Sequence, residues 1–493
     1  MGLFADLSDQ GLMTGYRTFV LSLEPLLAAM GKRGMPVSIE RHAKVTKEME
    51  GMLADAERAM RAMVPDEVRP FHPKAGYKKP PTRINGGEYL LKRFSDGEDR
   101  WVRLDEWKPS NAGLIRDMRH KGHPVPKDFK NGNETTNQDE LKRLARSTKD
   151  LLYEAVLAYR QIGTILNNHM ANWAPGADGR VHPTFYYDTG TGQLAARRPN
   201  TMNAPKHGED GSLKKEMANA FRKLIVAQPG HVLLEFDFKS FHAQTLAFEA
   251  GDRDYLRLAK LDIHSFLAAQ FLKLPNRDRL LGLDDAALAC ALGEVKTCHR
   301  FVRDNKAKRA VLGYGFGMGF KKLYMMNRES FDNMAEAKRL LDTMNGLFPR
   351  ACAWRDEVRA QAHEQGYLTS RFGCVRRFWE VFKWSGGRFV SGGDDSEAAV
   401  AFLPANDAFC HIKLGMLRLE AAGWLERARL INQIHDALLF ECPLHLKDEA
   451  VAAIRTEMER PSDVLINEVA PGGLSVEVGV SEGASWDAMR EVK

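Results

Sequence analysis

Two stretches of this chain set an aspartate against an apolar run, and they restrict its possible folds more than any other feature. The run VLLEF leads into Asp237, and Asp436 stands between RLINQI-His435 and ALLF. Runs of this length and character read as buried strands. An ionised carboxylate on or beside a buried strand is costly unless it is paired, hydrogen-bonded or metal-bound. Either aspartate alone reads better as a strand-end or turn residue. His435-Asp436 is the odder case, since a two-residue connection between apolar strands normally carries Asn-Gly or Asp-Gly. Brought together, two carboxylates could hold two hard divalent cations and support phosphoryl transfer.

The rest of the chain is mostly helical in pattern. Helix formers with apolar residues at helical spacing fill 16–63, and helix is expected over 110–121, 137–168, most of 240–366 and 396–422. Short strands with turns begin near His182, and a hairpin-like segment, GYLTSRFGCVRRFWEVF, follows Gly366. The final strand is read in LSVEVGV. The fold class is therefore α+β, a small antiparallel sheet among helices. A chain of 493 residues is too long for one core and suggests about three structural units. Residues 69–108 differ in texture: Pro, Gly and Lys interrupt any helix, and YLLKRF and RWVRL suggest short strands. This is either a basic hairpin that touches nucleic acid or a solvated excursion.

Several classes are disfavoured. No pair among the six cysteines is spaced C-x-x-C, so no structural zinc or redox motif is indicated, and a reduced intracellular protein is expected. No apolar run approaches the roughly 18 residues of a membrane span, and the start, MGLFADLSDQ, lacks the basic region of a secretion signal. A net charge of +6 permits an anionic partner but equally fits a solvated surface. Arg303, Lys306, Lys308 and Arg309 form a basic helical segment that could grip a triphosphate or merely face water. The glycine-rich GYGFGMG after it lacks the G-K-[ST] ending of a P-loop.

Taken in order, five segments resemble the polymerase domain of family A (DNA polymerase I-like) DNA polymerases. Gly190 to Leu194, with Arg198-Pro199-Asn200 and Asn203-Ala204-Pro205, is similar to the family's TATGRLSSxxPNLQNIP stretch. Asp237-Phe238-Lys239-Ser240 resembles the DYSQ of motif A, and Asp262-Ile263-His264 the downstream DIH. Lys308 with Phe316-Gly317 resembles motif B of the fingers helix, and Gln433-Ile434-His435-Asp436 with Leu439-Phe440-Glu441 resembles the QVHDELVFE of motif C. The resemblance runs from about Leu21 to the C-terminus.

The resemblance implies a right-hand architecture, with a palm containing the small antiparallel sheet and helical fingers and thumb. Residues 1–40 would lead into the palm, and 41–170 would form a thumb with a basic insertion near 69–108. Residues 171–270 and 351–493 would form the palm, and 271–350 the fingers. It further implies primer extension with dNTPs, two Mg²⁺ ions as cofactor with Mn²⁺ as a substitute, and primer–template DNA as partner. Asp237, Asp436 and the Phe238 carbonyl would hold the metals, with Lys308 at the α-phosphate. His264, Arg303, Phe316, His242 and Ser240 would surround the nucleotide. Gln193, Arg197, Arg198, Asn406 and His435 would meet DNA at the primer end, and Lys74, Lys78, Lys79 and Lys92 would track phosphates on the thumb. No exonuclease is expected on this polypeptide. A monomer in the cytoplasm of a bacterial cell, phage- or plasmid-encoded, is expected, with processivity or replisome proteins as further partners.

Departures from the family pattern fall around the metal pair. His242 replaces the motif A Glu that excludes a ribose 2′-OH, Ala437 replaces the Glu after the motif C Asp, Phe316 replaces Tyr and Gln193 replaces Arg. The family's fingers Arg, four residues before the Lys, falls on Asp304, and Arg303 is one position off, about 100° round an α-helix. Either the helix slips locally or another cation serves. A single-subunit RNA polymerase or sugar-tolerant enzyme is one alternative, and a degenerate DNA-binding polymerase relic is a second.

Overall fold

The computed structural model describes residues 13–69, 71–77, 89–93, 97–104, 107–128, 131–187, 189–204 and 213–492. Its contacts divide the chain into two compact units. The first comprises Met1–Ser38, Pro175–Ala204 and Arg222–Lys493, and the second Ile39–Ala174 and Pro205–Phe221.

The first unit is built on a five-stranded antiparallel sheet. We label its strands β1 (His231–Phe238), β2 (Leu430–Ile434), β3 (Ala437–Pro443), β4 (Val478–Gly483) and β5 (Arg490–Glu491), in spatial order β2-β3-β1-β4-β5. Period-2 alternation sorts its side chains. Leu234, Phe236 and Phe238 of β1 and Leu438, Phe440 and Cys442 of β3 are all buried in the unit's main hydrophobic core. Asp237 points to the other face, where it is exposed. Packed into the same core are helices α1 (Phe241–Ala250), α2 (Ile263–Leu272), α3 (Lys308–Gly315), α4 (Pro349–Gln365) and α5 (Ser396–Ala421). Helix α5 is buried over most of its length, its apolar residues together with the polar Asn406, Asp407, His411 and Lys413. The terminal strand begins at Val478, four residues later than LSVEVGV suggests.

A second hairpin in this unit escaped the sequence reading. Strands Phe382–Ser385 and Arg388–Ser391 pair across Gly386-Gly387, both at positive φ (60° and 79°), as a two-residue turn between twisted strands requires.

The second unit is helical with one small sheet. Helices Ile39–Met63, Asn111–His120, Gln138–Thr148 and Leu151–Ile165 enclose a core of Met60, Leu114, Met118, Leu141, Leu144, Leu152 and Tyr153. The single helix expected over 137–168 is broken at Lys149, which adopts a left-handed conformation, and Asp150 caps the next helix by accepting from the Leu152 amide at 3.0 Å. Strands Phe71–Tyr77, Tyr89–Arg93 and Asp99–Leu104 form an antiparallel sheet with the last in the centre. Lys78 and Lys79 lie outside the described residues, as do the side chains of Lys74 and Lys92. Residues 213–221 group with this unit by their contacts. Phe221 meets the Trp173 ring edge-on at 4.7 Å and His169 at 5.4 Å, a long-range contact with no local sequence signal.

Among the described residues no helix is long and apolar enough to cross a membrane.

Candidate active site

Strand register brings the two aspartates together. Ala437 is the cross-strand partner of Asp237, so Asp436 stands one residue from it, and the Phe238 amide donates to the Asp436 carbonyl at 3.3 Å. Both polar backbone groups of a strand residue point to the same neighbour, so the Phe238 carbonyl also faces this turn. On its other side Asp237 pairs with Gly479. Its two cross-strand neighbours are therefore Ala437 and Gly479, which leave open space around an exposed carboxylate. Backbone strain brackets the pair. Ser240, capping α1 after Asp237, has φ 52°, and His435, just before Asp436, has φ 56°. A non-glycine residue held there costs on the order of 1–3 kcal/mol, and such strain clusters at functional sites.

A loop of 189–193 buttresses the His435 turn. The Gln193 side-chain amide meets His435 Nδ1 at 2.9 Å, and the Gln433 amide donates to the His435 carbonyl at 3.1 Å. Asn406 on α5 is only 3% exposed, and its amide donates to the Thr191 carbonyl at 3.0 Å. It thus stands behind the loop and positions Gln193. Gly192 makes this possible: it has φ 74°, and a Cβ there would meet the Asn406 amide nitrogen at 2.8 Å. Arg197 and Arg198 are exposed on the same segment.

His242, on the first turn of α1, packs against Phe316 (5.9 Å) and Phe409 (5.5 Å). Burial lowers its pKa, and the Asp436 charge opposes that only in part. Phe316 ends α3, so this contact joins the aspartate pair to the helix that begins at Lys308.

The basic segment sorts into distinct roles. Lys306 is buried against Glu336 at 2.6 Å, and Arg309 bonds Asn327 at 2.6 Å and Glu329 at 2.9 Å. Both cations are thus held by partners within the first unit. Lys308 is exposed. Residues Val302–Ala307 form a π-helix, and the Lys308 amide donates to the Arg303 carbonyl five residues back. One extra residue in the turn absorbs the one-position offset, so Arg303 sits one wide turn before Lys308. The guanidinium contacts Asp262 and Ser265 (2.9 and 3.0 Å) and also Asp304. Burial opposes its charge, but the two carboxylates outweigh it and raise its pKa.

Asp262, which sequence reasoning recorded without a role, is the hub of this cluster. It caps α2 by accepting from the Ser265 amide at 3.1 Å while holding Arg303, and so fixes His264. Burial pushes His264 down to about 4, with Asp262 raising it and Arg303 and Lys308 lowering it further. A neutral imidazole results, with its buried Nδ1 making no hydrogen bond among the described residues.

Comparison with known proteins places this arrangement. The sequence profile of DNA polymerase family A matches residues 112–280 and 286–488. The chain belongs to DNA polymerase family A. Its relatives include the thermostable DNA polymerase I of Thermus filiformis, 26% identical over 373 residues, covering 74% of this chain and 39% of the relative. The DNA polymerase I of Chloroflexus aurantiacus is 27% identical over 345 residues, covering 68% of this chain and 32% of the relative. The chain thus spans less than half the length of these curated relatives. In structure it resembles the POL domain of Pol1 from M. smegmatis, solved in complex with DNA primer-template and dNTP. The TM-score is 0.70 at 19% identity, over 99% of this chain and 73% of the other. The expected α+β polymerase-domain fold is therefore present. Both aspartates, His264, Lys308 and the Gln193 loop fall within the two stretches matched by the family profile.

Proposed function

We propose that this chain is a template-directed DNA polymerase that extends a primer 3′-OH with dNTPs. The observation that carries the reading is the register of β1 and β3, which sets Asp237 and Asp436 side by side at an open sheet end. The donor set suits hard divalent cations: two carboxylates and the Phe238 carbonyl, with no soft ligand. Among the described residues no cluster of three or more His, Cys, Asp or Glu forms a closed cage. Mg²⁺ typically takes one or two carboxylates and completes its shell with water and substrate phosphates. When bound there, two such ions would lower the pKa of the primer hydroxyl and neutralise charge on the departing pyrophosphate.

The chain's own groups then divide the work. Asp237 and Asp436 supply negative charge at the reacting end of the sheet. Lys308 reaches the triphosphate as an exposed ammonium, and neutral His264 can donate one hydrogen bond to its outer oxygens. Arg303, neutralised by Asp262 and Asp304, chiefly holds these two in place. Gln193 and His435, locked to each other, present a polar edge to the primer end. Minor-groove acceptors are similar on all base pairs, so such contacts tolerate sequence and sense pair geometry. In this reading the second unit is the thumb, and α3 belongs to the fingers. The deciding experiment is extension of a primed template with Mg²⁺ and dNTPs; no extension under any divalent metal would refute the proposal.

Two further outcomes are expected. Lys308→Ala should raise the KM for dNTP or lower kcat/KM by roughly 10–100-fold, the value of one charge-assisted phosphate contact, as measured by steady-state incorporation. His242→Ala should raise rNTP relative to dNTP incorporation by roughly 10-fold. The ring fills the space between Phe316 and Phe409, and losing such a steric block relaxes discrimination by that order.

A further inference from the structure

The hairpin Phe382–Ser391 carries aromatic surface that the polymerase reading does not use. Trp384 and Phe389 are directly opposite in register and meet edge-to-face at 5.0 Å, yet they are 65% and 60% exposed. Trp379, just before the hairpin, is 83% exposed. Burying such rings is favourable, so the paired Trp384 and Phe389 rings, with Trp379 five positions before Trp384, leave apolar surface in water. The base of the hairpin is anchored, because His363 of α4 packs on Phe382 at 5.0 Å and on Phe389 at 5.6 Å. The platform is therefore held against α4 while Trp384 and Phe389 stay largely exposed.

We infer that this hairpin is a stacking platform for single-stranded DNA, the unpaired strand of a primed template. Three observations select this occupant. First, charge: residues 376–391 carry Arg376, Arg377, Lys383 and Arg388 against Glu380, and of the next two acids Asp394 and Asp395 the latter is occupied by the Trp379 and Glu380 amides. Lys383, Ser385, Arg388 and Val390 share the ribbon face opposite Trp384 and Phe389, and the long Lys383 and Arg388 side chains can reach round the narrow two-stranded edge. Second, chemistry: aromatic faces beside cations bind single strands with little sequence preference, bases on the rings and phosphates on the cations. Third, continuity: Arg376 donates to the Gly190 carbonyl at 2.9 Å, and Gly190 begins the loop whose Gln193 holds His435 beside Asp436. Phe382 stands six positions after Arg376, a reach of at most about 20 Å at the rise of an extended chain. The platform starts from the rim of the candidate active site.

The identity of the strand rests on the polymerase reading, but the test does not require catalysis. Fluorescence anisotropy would compare the full chain with Trp384→Ala/Phe389→Ala on three probes: labelled oligo-dT, a primed template with a 5′ single-stranded extension, and the same duplex without it. The double variant is expected to bind the first two roughly 10–100-fold more weakly and the blunt duplex within about 2-fold of wild type. Lys383→Glu/Arg388→Glu should show the same pattern with a reduced salt dependence. Both pairs are exposed, so unchanged thermal melting is expected and checks folding. Equal affinity of wild type and variants for oligo-dT overturns the inference, as does equal weakening on all three probes. A concentration-dependent dimer that the aromatic variant abolishes, with single-strand affinity unchanged, assigns the surface to a second copy and also overturns it. A wild-type chain that binds oligo-dT through these residues but never extends a primer overturns the polymerase reading alone.

Discussion

Asp237→Asn is expected to lower single-nucleotide incorporation by about 10³-fold or more, and Asp436→Asn by the same order. Each change removes one of the two negative charges at the sheet end while keeping side-chain size. Charge stabilisation at such a site supplies several kcal/mol, and about 4 kcal/mol is ~10³ in rate. The fold should barely notice. Asp237 is exposed between Ala437 and Gly479, and Asp436 makes its hydrogen bond to the Phe238 amide through a backbone carbonyl that Asn retains. The unfolding free energy of Asp237→Asn should therefore stay within about 0.5 kcal/mol of wild type, as for exposed substitutions, and that of the half-buried Asp436→Asn within about 1 kcal/mol. Single-turnover extension of a primed template under saturating dNTP checks the rate, and urea unfolding checks the fold. Full activity in either variant would remove these aspartates from the chemistry.

The strands around those aspartates were legible because burial on both flanks leaves a strong local pattern: VLLEF and ALLF can hardly be anything else. Helix α5 was legible within one residue for the same reason. What stayed hidden was set by contacts distant in sequence. The π-turn at Val302–Ala307 has no compositional mark. Arg303 meets Asp262 and Lys306 meets Glu336, and the Lys308 amide bonds the Arg303 carbonyl five positions back where an α-helix would bond four back. The sequence posed the offset as a question, and only packing could answer it. Asn406 is similar: the sequence reads it as a residue for DNA, and only the fold reveals its burial and its bond to Thr191 behind Gln193. The Gly386-Gly387 turn is different: its signal, two glycines between aromatic and β-branched runs, was present and went unread.

Glu441 shows the opposite separation of stability from chemistry to that expected for the aspartates. As part of motif C it would pass for a site residue, but it is 0% exposed. One carboxylate oxygen accepts from Arg180 at 2.9 Å and the other from the Gln228 amide at 3.0 Å. Arg180, 6% exposed, also donates to the Arg33 carbonyl at 2.7 Å and the Gly34 carbonyl at 2.9 Å. The pair therefore ties β3 to the small antiparallel pair Met35–Pro36 and Arg180–Val181. Glu441→Ala leaves a buried guanidinium without its counter-charge and the Gln228 amide without an acceptor. Breaking a buried pair from one side costs about 3–5 kcal/mol. The exposed Arg427–Glu449 pair is the control, and Glu449→Ala should cost no more than about 1 kcal/mol. Urea unfolding measures both. Well below its melting temperature, the Glu441→Ala protein should keep incorporation within about 10-fold of wild type, since the carboxylate lies five residues along β3 from Asp436 and does not reach the reacting groups. Stability near wild type in Glu441→Ala would mean that Arg180 finds enough in its two carbonyls. A collapse of incorporation in fully folded Glu441→Ala would make the buried pair part of the site.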